Sequence, residues 1–216
     1  MYPLGRLVEH DERSLAPRYS AERATAVHSV VHLHRGPALN QGNLGSCTGN
    51  AAAQCLNTKP LATSTGKLFV ETDAVKIYSV ATTLDSYSGQ YPPTDTGSSG
   101  LAACKAAQKL GYITSYNHAF GLQHTLEALT LHPVIIGINW YEGMFTPDRA
   151  GYVLPTGALA GGHEVLLYGL NTTAKAVTAL NSWGPSWGNQ GRFNIHYADL
   201  NKLLNEGGDC SVPLRA

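Results

Sequence analysis

Gln41-Gly-Asn-Leu-Gly-Ser-Cys47-Thr-Gly-Asn-Ala-Ala-Ala53 is a glycine-rich loop running into an alanine-rich stretch, with a cysteine at the junction. Three consecutive alanines, and no proline before Pro60, predict a helix of about ten residues over Thr48 to Asn57. Cys47 then stands at the helix start. Unpaired N–H groups and the macrodipole favour negative charge there, so the thiol pKa is expected to fall. A lone cysteine more often fills a core than attacks a substrate. Nucleophilic chemistry also needs a base, a group to orient it and a donor for a developing oxyanion.

Gly161-Gly-His163-Glu-Val-Leu-Leu-Tyr-Gly169 offers the base. Two glycines lead into an apolar run that reads as a buried strand, with His163 held rigidly at its mouth. Eighteen residues beyond His163 begins Asn181-Ser-Trp183-Gly-Pro-Ser-Trp187-Gly-Asn-Gln-Gly191. A side-chain amide accepts from an imidazole N–H and fixes the ring without competing for its proton. Trp183 is placed to shield such a bond from water.

These blocks, in this order, resemble the papain-like cysteine peptidases: Gln41, then Cys47, Gly-His163 before a hydrophobic strand, and Asn-Ser-Trp-Gly-x-x-Trp-Gly-x-x-Gly from Asn181. The resemblance runs from about Pro37 to Tyr197. It implies an α+β fold of two subdomains, helical on the left and antiparallel β on the right, with the active site in the cleft between. It further implies that the Gln41 side chain and the Cys47 N–H form an oxyanion hole. His163 would be general base and acid, and Asn181 would orient it. Gly45, Ser46, Gly162, Glu164 and Trp183 are expected to line the substrate cleft.

Two departures from the family pattern stand out: Thr48 replaces the usual aromatic after the cysteine, and Glu164 the usual small residue after the histidine. In relatives the latter position contributes to the pocket for the second substrate side chain before the scissile bond. Glu164 would therefore favour a basic or polar group, unless it is simply a strand-edge carboxylate paired to an arginine or solvated.

The implied activity is a cysteine endopeptidase working through an acyl-enzyme, without metal or organic cofactor, on a peptide or protein substrate. A transpeptidase and a lysin-type amidase or endopeptidase acting on cell-wall peptides use the same acyl-enzyme. A catalytically silent binding module is a third reading, opposed by retention of all four catalytic positions. The sequence resembles compact bacterial and phage members more than lysosomal ones.

Bulk properties agree with a folded enzyme. The chain has 216 residues, enough for two subdomains around one cleft. Hydrophobic residues make up 43% and charged ones 14%, which argues against disorder. A net charge of +0 without a basic run predicts neither a nucleic-acid nor a membrane-surface partner. The oligomeric state has no signature in the sequence. No apolar stretch reaches the roughly 20 residues of a membrane span, and Met1 to Arg13 has no secretory core. A cytoplasmic location is expected, with release on lysis if the chain is phage-encoded.

Cysteines stand at 47, 55, 104 and 210. Cys47 and Cys55 would lie about 12 Å apart along one helix, too far to bridge. Cys55 and Cys104 read as core, Cys210 is free to pair with either, and a reducing compartment is favoured. Residues 1–28 read as an N-terminal arm, a short pro-segment or a partner contact, ahead of a peptidase domain over 29–216. Within it, about 45–131 is expected to be mainly helical and about 132–200 mainly β.

His28, His32 and His34 lack a cysteine or carboxylate at ligand spacing, and so read as exposed strand histidines rather than a metal site. Further helices are predicted within 67–83, from Ser98 or Ser99 to Gly111, and around Leu122, Leu126 and Leu129. Strands are predicted at Val134–Ile138, Val165–Leu170, Ala176–Leu180 and Arg192–Tyr197. Trp140 to Phe145 is expected on the cleft rim, and Tyr152 to Gly162 as a loop gating entry.

Overall fold

The structure, a computed structural model, describes residues 2–10, 26–63 and 66–215. Its first long element is helix α1 (Cys47–Leu56), all ten residues of which are buried. Small side chains make that burial possible: a Cβ on Gly49 would lie 2.2 Å from the Ala74 carbonyl of helix α2 (Glu71–Ala81). Helix α3 (Gly100–Lys109) completes this layer. Its N-cap is Ser99, whose hydroxyl accepts from the Ala102 N–H at 3.0 Å. Gly111, at φ +73°, follows its end.

The other half is an antiparallel sheet. Its strands are β1 (Val30–Val31), β2 (Ser115–Ala119), β3 (Val134–Tyr141), β4 (Leu159–Asn171), β5 (Ala176–Leu180), β6 (Arg192–His196) and β7 (Asp209–Leu214). They lie in the order β2-β7-β3-β4-β5-β6, and β1 pairs with the outer part of β4. Alternation along β4 divides the core in two. Leu166 and Tyr168 face α1, α2 and α3, whereas Val165 and Leu167 face a second cluster built around Trp140, Trp183, Trp187 and Phe193. Helices α4 (Gly121–Leu131) and α5 (Tyr197–Asn205) cover that second face.

The architecture is the expected α+β arrangement, with several local corrections. Strand β2 and helix α4 belong to the sheet's core, through Ala119, Leu126, Ala128 and Leu129, so the helical half ends well before residue 131. The β half extends past residue 200 through α5 and β7. Asp209–Leu214 has a central place because it pairs with both β2 and β3. Proline at 213 and flanking glycines mask its strand character in the sequence. Tyr197 opens α5 instead of closing β6, and β4 begins at Leu159, inside the expected gating loop.

Trp140 is wholly buried rather than on a rim. Of the three histidines only His28 is exposed: His32 is buried with Nε2 2.8 Å from the Leu129 carbonyl, and half-buried His34 meets Thr58 Oγ1 at 2.8 Å. All four cysteines are free and buried, so Cys210 bridges neither Cys104 nor Cys55. Among the described residues no helix is long and apolar enough to cross a membrane.

Candidate active site

Helix α1 packs against β4, and β4 pairs with β5. Cys47 is the first residue of α1, after Gly45 and the N-cap Ser46; His163 lies on β4, and Asn181 directly follows β5. The sulfur reaches the backbone of Glu164, next to His163. His163 Nε2 lies 2.7 Å from Asn181 Oδ1, which also accepts from the Ser182 N–H at 2.7 Å. A backbone N–H can only donate, so this second bond fixes the amide with its oxygen toward the imidazole. The neutral ring therefore carries its proton on Nε2, and Nδ1, buried without a hydrogen-bond partner, is the basic nitrogen.

The walls of this pair are aromatic. Trp183 stacks on His163 with centroids 4.7 Å apart, and Trp140 meets it edge-on at 4.9 Å. Gln41 is fixed through both ends of its amide. Oε1 accepts from Ser182 Oγ at 2.6 Å, while Nε2 donates to the Leu44 carbonyl at 2.8 Å. Ser182 thus ties Asn181 to Gln41, a role whose one mark in the sequence is its place within the Asn-Ser-Trp block.

Residues 2–10 thread through the same place. Tyr2 stacks on Trp183 at 4.5 Å, and the Pro3 carbonyl faces Gln41 Nε2 at 3.4 Å. Gly5 crosses Gly45 so closely that a Cβ there would sit 1.9 Å from the Gly45 carbonyl oxygen. Its backbone also hydrogen-bonds the Cys47 sulfur. Arg6 N–H donates to the Gly162 carbonyl at 3.1 Å, Leu7 N–H to Ser98 at 2.8 Å, and Ser98 N–H returns to Gly5 at 2.9 Å. The arm is a short extended segment between β4 and the start of α3.

This cover reverses the expected electrostatics. Burial, and then the Glu164 charge, push the Cys47 thiol up to about 12, against the pull of backbone hydrogen bonds from Glu164, Gly5 and Thr48. Burial likewise drives His163 down to about 4, partly offset by Asn181. The lowered thiol pKa expected from the helix terminus is overridden, because desolvation of a fully enclosed sulfur outweighs a helix-end field. In this form the pair is thiol and neutral imidazole.

Glu164 is neither solvated nor at an open edge. It is fully buried on the opposite face of β4 from His163, near the Arg6 guanidinium and Asp209. Burial first, then Asp209, raise its pKa well above the carboxylate range, with Arg6 pulling the other way. Arg6 and Asp209, 203 positions apart, were invisible as a pair in the sequence. Among the described residues no cluster of three or more His, Cys, Asp or Glu side chains is arranged to hold a metal ion.

Comparison with known proteins adds a family to this geometry. The description "Papain family cysteine protease" matches residues 69–211. The chain belongs to the papain family of cysteine proteases. The match encloses His163 and Asn181, while Gln41 and Cys47 lie ahead of it.

Two Caenorhabditis elegans relatives are similar over shorter stretches. Cathepsin B-like cysteine proteinase 6 is 34% identical over 84 residues, 36% of this chain and 22% of the relative. Cathepsin B-like cysteine proteinase 5 is 28% identical over 137 residues, 56% of this chain and 40% of the relative. The matches thus span less than half of either relative's length. Among solved structures, xylellain, a cysteine protease from Xylella fastidiosa, superposes with a TM-score of 0.79 at 19% identity, covering 100% of this chain and 97% of that one. At that identity the likeness speaks for the papain-like fold.

Proposed function

We propose that this papain-family chain hydrolyses peptide bonds through a Cys-His-Asn acyl-enzyme mechanism, and that residues 2–10 hold it in a self-occluded form. The observation that carries the reading is the fixed tautomer of His163: Nε2–H is committed to Asn181, which leaves Nδ1 free to take a proton. With the cleft open, Nδ1 removes the Cys47 proton and the sulfur attacks the substrate carbonyl carbon. The oxyanion is held by Gln41 Nε2 and the Cys47 N–H. His163 gives its Nδ1 proton to the departing amine, leaving a thioester. Water then attacks the thioester, surrendering a proton to His163. As the carboxylic acid departs, the sulfur regains that proton.

The arm supports the second part of the proposal. Its Pro3 carbonyl lies on Gln41 Nε2, in the place of a substrate carbonyl, and its backbone covers Cys47. Water and peptide are both kept from the sulfur.

The test uses limiting iodoacetamide near pH 6, with the modified cysteine located by peptide mass spectrometry. Wild-type Cys47 should label slowly. Arg6→Ala, which removes the arm's buried anchor, should speed labelling by about 10²-fold by restoring the thiolate. Adding His163→Ala should abolish the gain. If Cys47 in Arg6→Ala reacts no faster than Cys104, the nucleophile assignment fails.

A further inference from the structure

Arg6 lies in a pocket whose construction is independent of the arm. Two walls are glycines. A Cβ on Gly100 would lie 2.3 Å from Glu164 Oε1, and one on Gly137 would lie 2.6 Å from both Arg6 Nε and Asp209 Oδ2. Gly137 sits opposite Glu164 in the β3–β4 register and opposite Asp209 in the β3–β7 register. Missing side chains on α3 and β3 thus open a slot with a carboxylate on each side and the Gly207 carbonyl at its rim.

The guanidinium fills that slot incompletely. Arg6 donates through Nε and Nη2 to Asp209 Oδ2, the former at 3.2 Å, and through Nη2 to the Gly207 carbonyl at 2.7 Å. Nη1 has no acceptor, and neither Glu164 oxygen has a donor. Two carboxyl groups on the strands either side of β3 are costly to ionise together in a buried slot without a cation, and Arg6 pulls Glu164 toward its charged form. An apolar side chain in the slot would leave both unpaired. A guanidinium free to tilt, unlike one tethered through Gly5 and Leu7, has the five-donor fork to meet both carboxylates.

We propose that this slot is a specificity pocket for arginine: the enzyme cleaves peptides that carry an arginine side chain between Glu164 and Asp209, and Arg6 occupies the slot in their place. This rests on the peptidase reading of Cys47 and His163, and names the substrate class of that site. By the resemblance that places the residue after the histidine, the arginine is the second residue before the cleaved bond. The arm carries the same recognition element as the substrate, so occlusion is competitive.

The test uses the full chain with Arg6→Ala and two fluorogenic peptides, identical except for Arg or Leu at the second position before the reporter amide. Iodoacetamide labelling of Cys47 first establishes a competent nucleophile. The kcat/KM ratio of Arg over Leu should then exceed about 30, short of the roughly 10⁴ reached by fully enclosed polar sites. Asp209→Asn or Glu164→Gln in the same background should cut that ratio by tenfold or more. A reactive Cys47 with Leu cleaved as well as Arg overturns the pocket and leaves the peptidase standing. An unreactive Cys47 with neither peptide cleaved overturns the peptidase and the pocket with it. The peptide pair needs no change at Asp209, so a misfolded Asp209→Asn does not remove the test.

Discussion

His163 and Glu164 are neighbours on β4, both wholly buried and both titratable, yet the two faces of the strand treat them differently. His163 is enclosed by Trp140 of β3 and by Asn181 and Trp183, which follow β5, all within the β half. Glu164 is enclosed by Gly100, Gly137 and Asp209, drawn from three distant elements, and its cation is supplied by Arg6. A cage built into the β half fixes one tautomer of the imidazole. A pocket closed by a borrowed cation suits a place where ligands exchange.

If the two faces are functionally separate, damage to one should leave the signature of the other intact. Gln41→Ala in the Arg6→Ala background should lower kcat by about 10²–10³ by removing an oxyanion donor. The Arg-over-Leu ratio should hold, because the slot lies on the other face. Steady-state kinetics with the peptide pair reads both quantities. A ratio that collapses along with kcat would mean that the faces are coupled.

The borrowed cation can also be supplied in trans. A synthetic peptide of residues 1–10 should inhibit the Arg6→Ala chain competitively. The same peptide with leucine at position 6 should bind about 10–100-fold more weakly, the range for losing hydrogen bonds to a charged group. Equal inhibition constants would make backbone pairing with Gly162 and Ser98 the real anchor, and the guanidinium incidental.

The contrast also explains what could be read from the sequence. The blocks around Gln41, Cys47, His163 and Asn181 are local: a helix start, a strand mouth and a strand end, each marked by glycine or alanine patterning. The structure links Gln41 to Asn181 and His163 through Ser182, and sets the Cys47 sulfur against the backbone of Glu164, next to His163. Asp209 lay in Gly-Gly-Asp-Cys-Ser, where glycines and Pro213 hid a central strand, and its partnership with Arg6 depends on the chain's two ends meeting. Glu164 was visible as an odd residue after the histidine, but neither its burial nor its second carboxylate was. The raised Cys47 pKa has no mark in the sequence for the same reason. A helix terminus is a local feature, whereas cover from an arm some forty positions earlier is not.

The smallest expected effect is on stability, because the two neighbours impose opposite pH slopes. His163 is driven down to about 4 by burial, so between its ordinary value near 6.5 and that value the unfolded chain binds the extra proton. Stability from this group is full above about pH 6.5 and falls by up to about 3 kcal/mol as the pH drops through 4. His34, also driven to about 4 by burial, adds a slope of the same sign. Glu164 works in reverse. Its folded pKa is raised, so its contribution is full below the ordinary carboxylate value and is lost as the pH climbs through the raised one. Denaturant unfolding of the full chain between pH 7 and 4 should therefore show a modest net loss in acid. Glu164→Gln removes the opposing slope and should steepen that loss, while His163→Ala should flatten it. If Glu164→Gln flattens it instead, Glu164 is an ordinary ionised partner of Arg6, and the slot carries a full second negative charge at neutral pH.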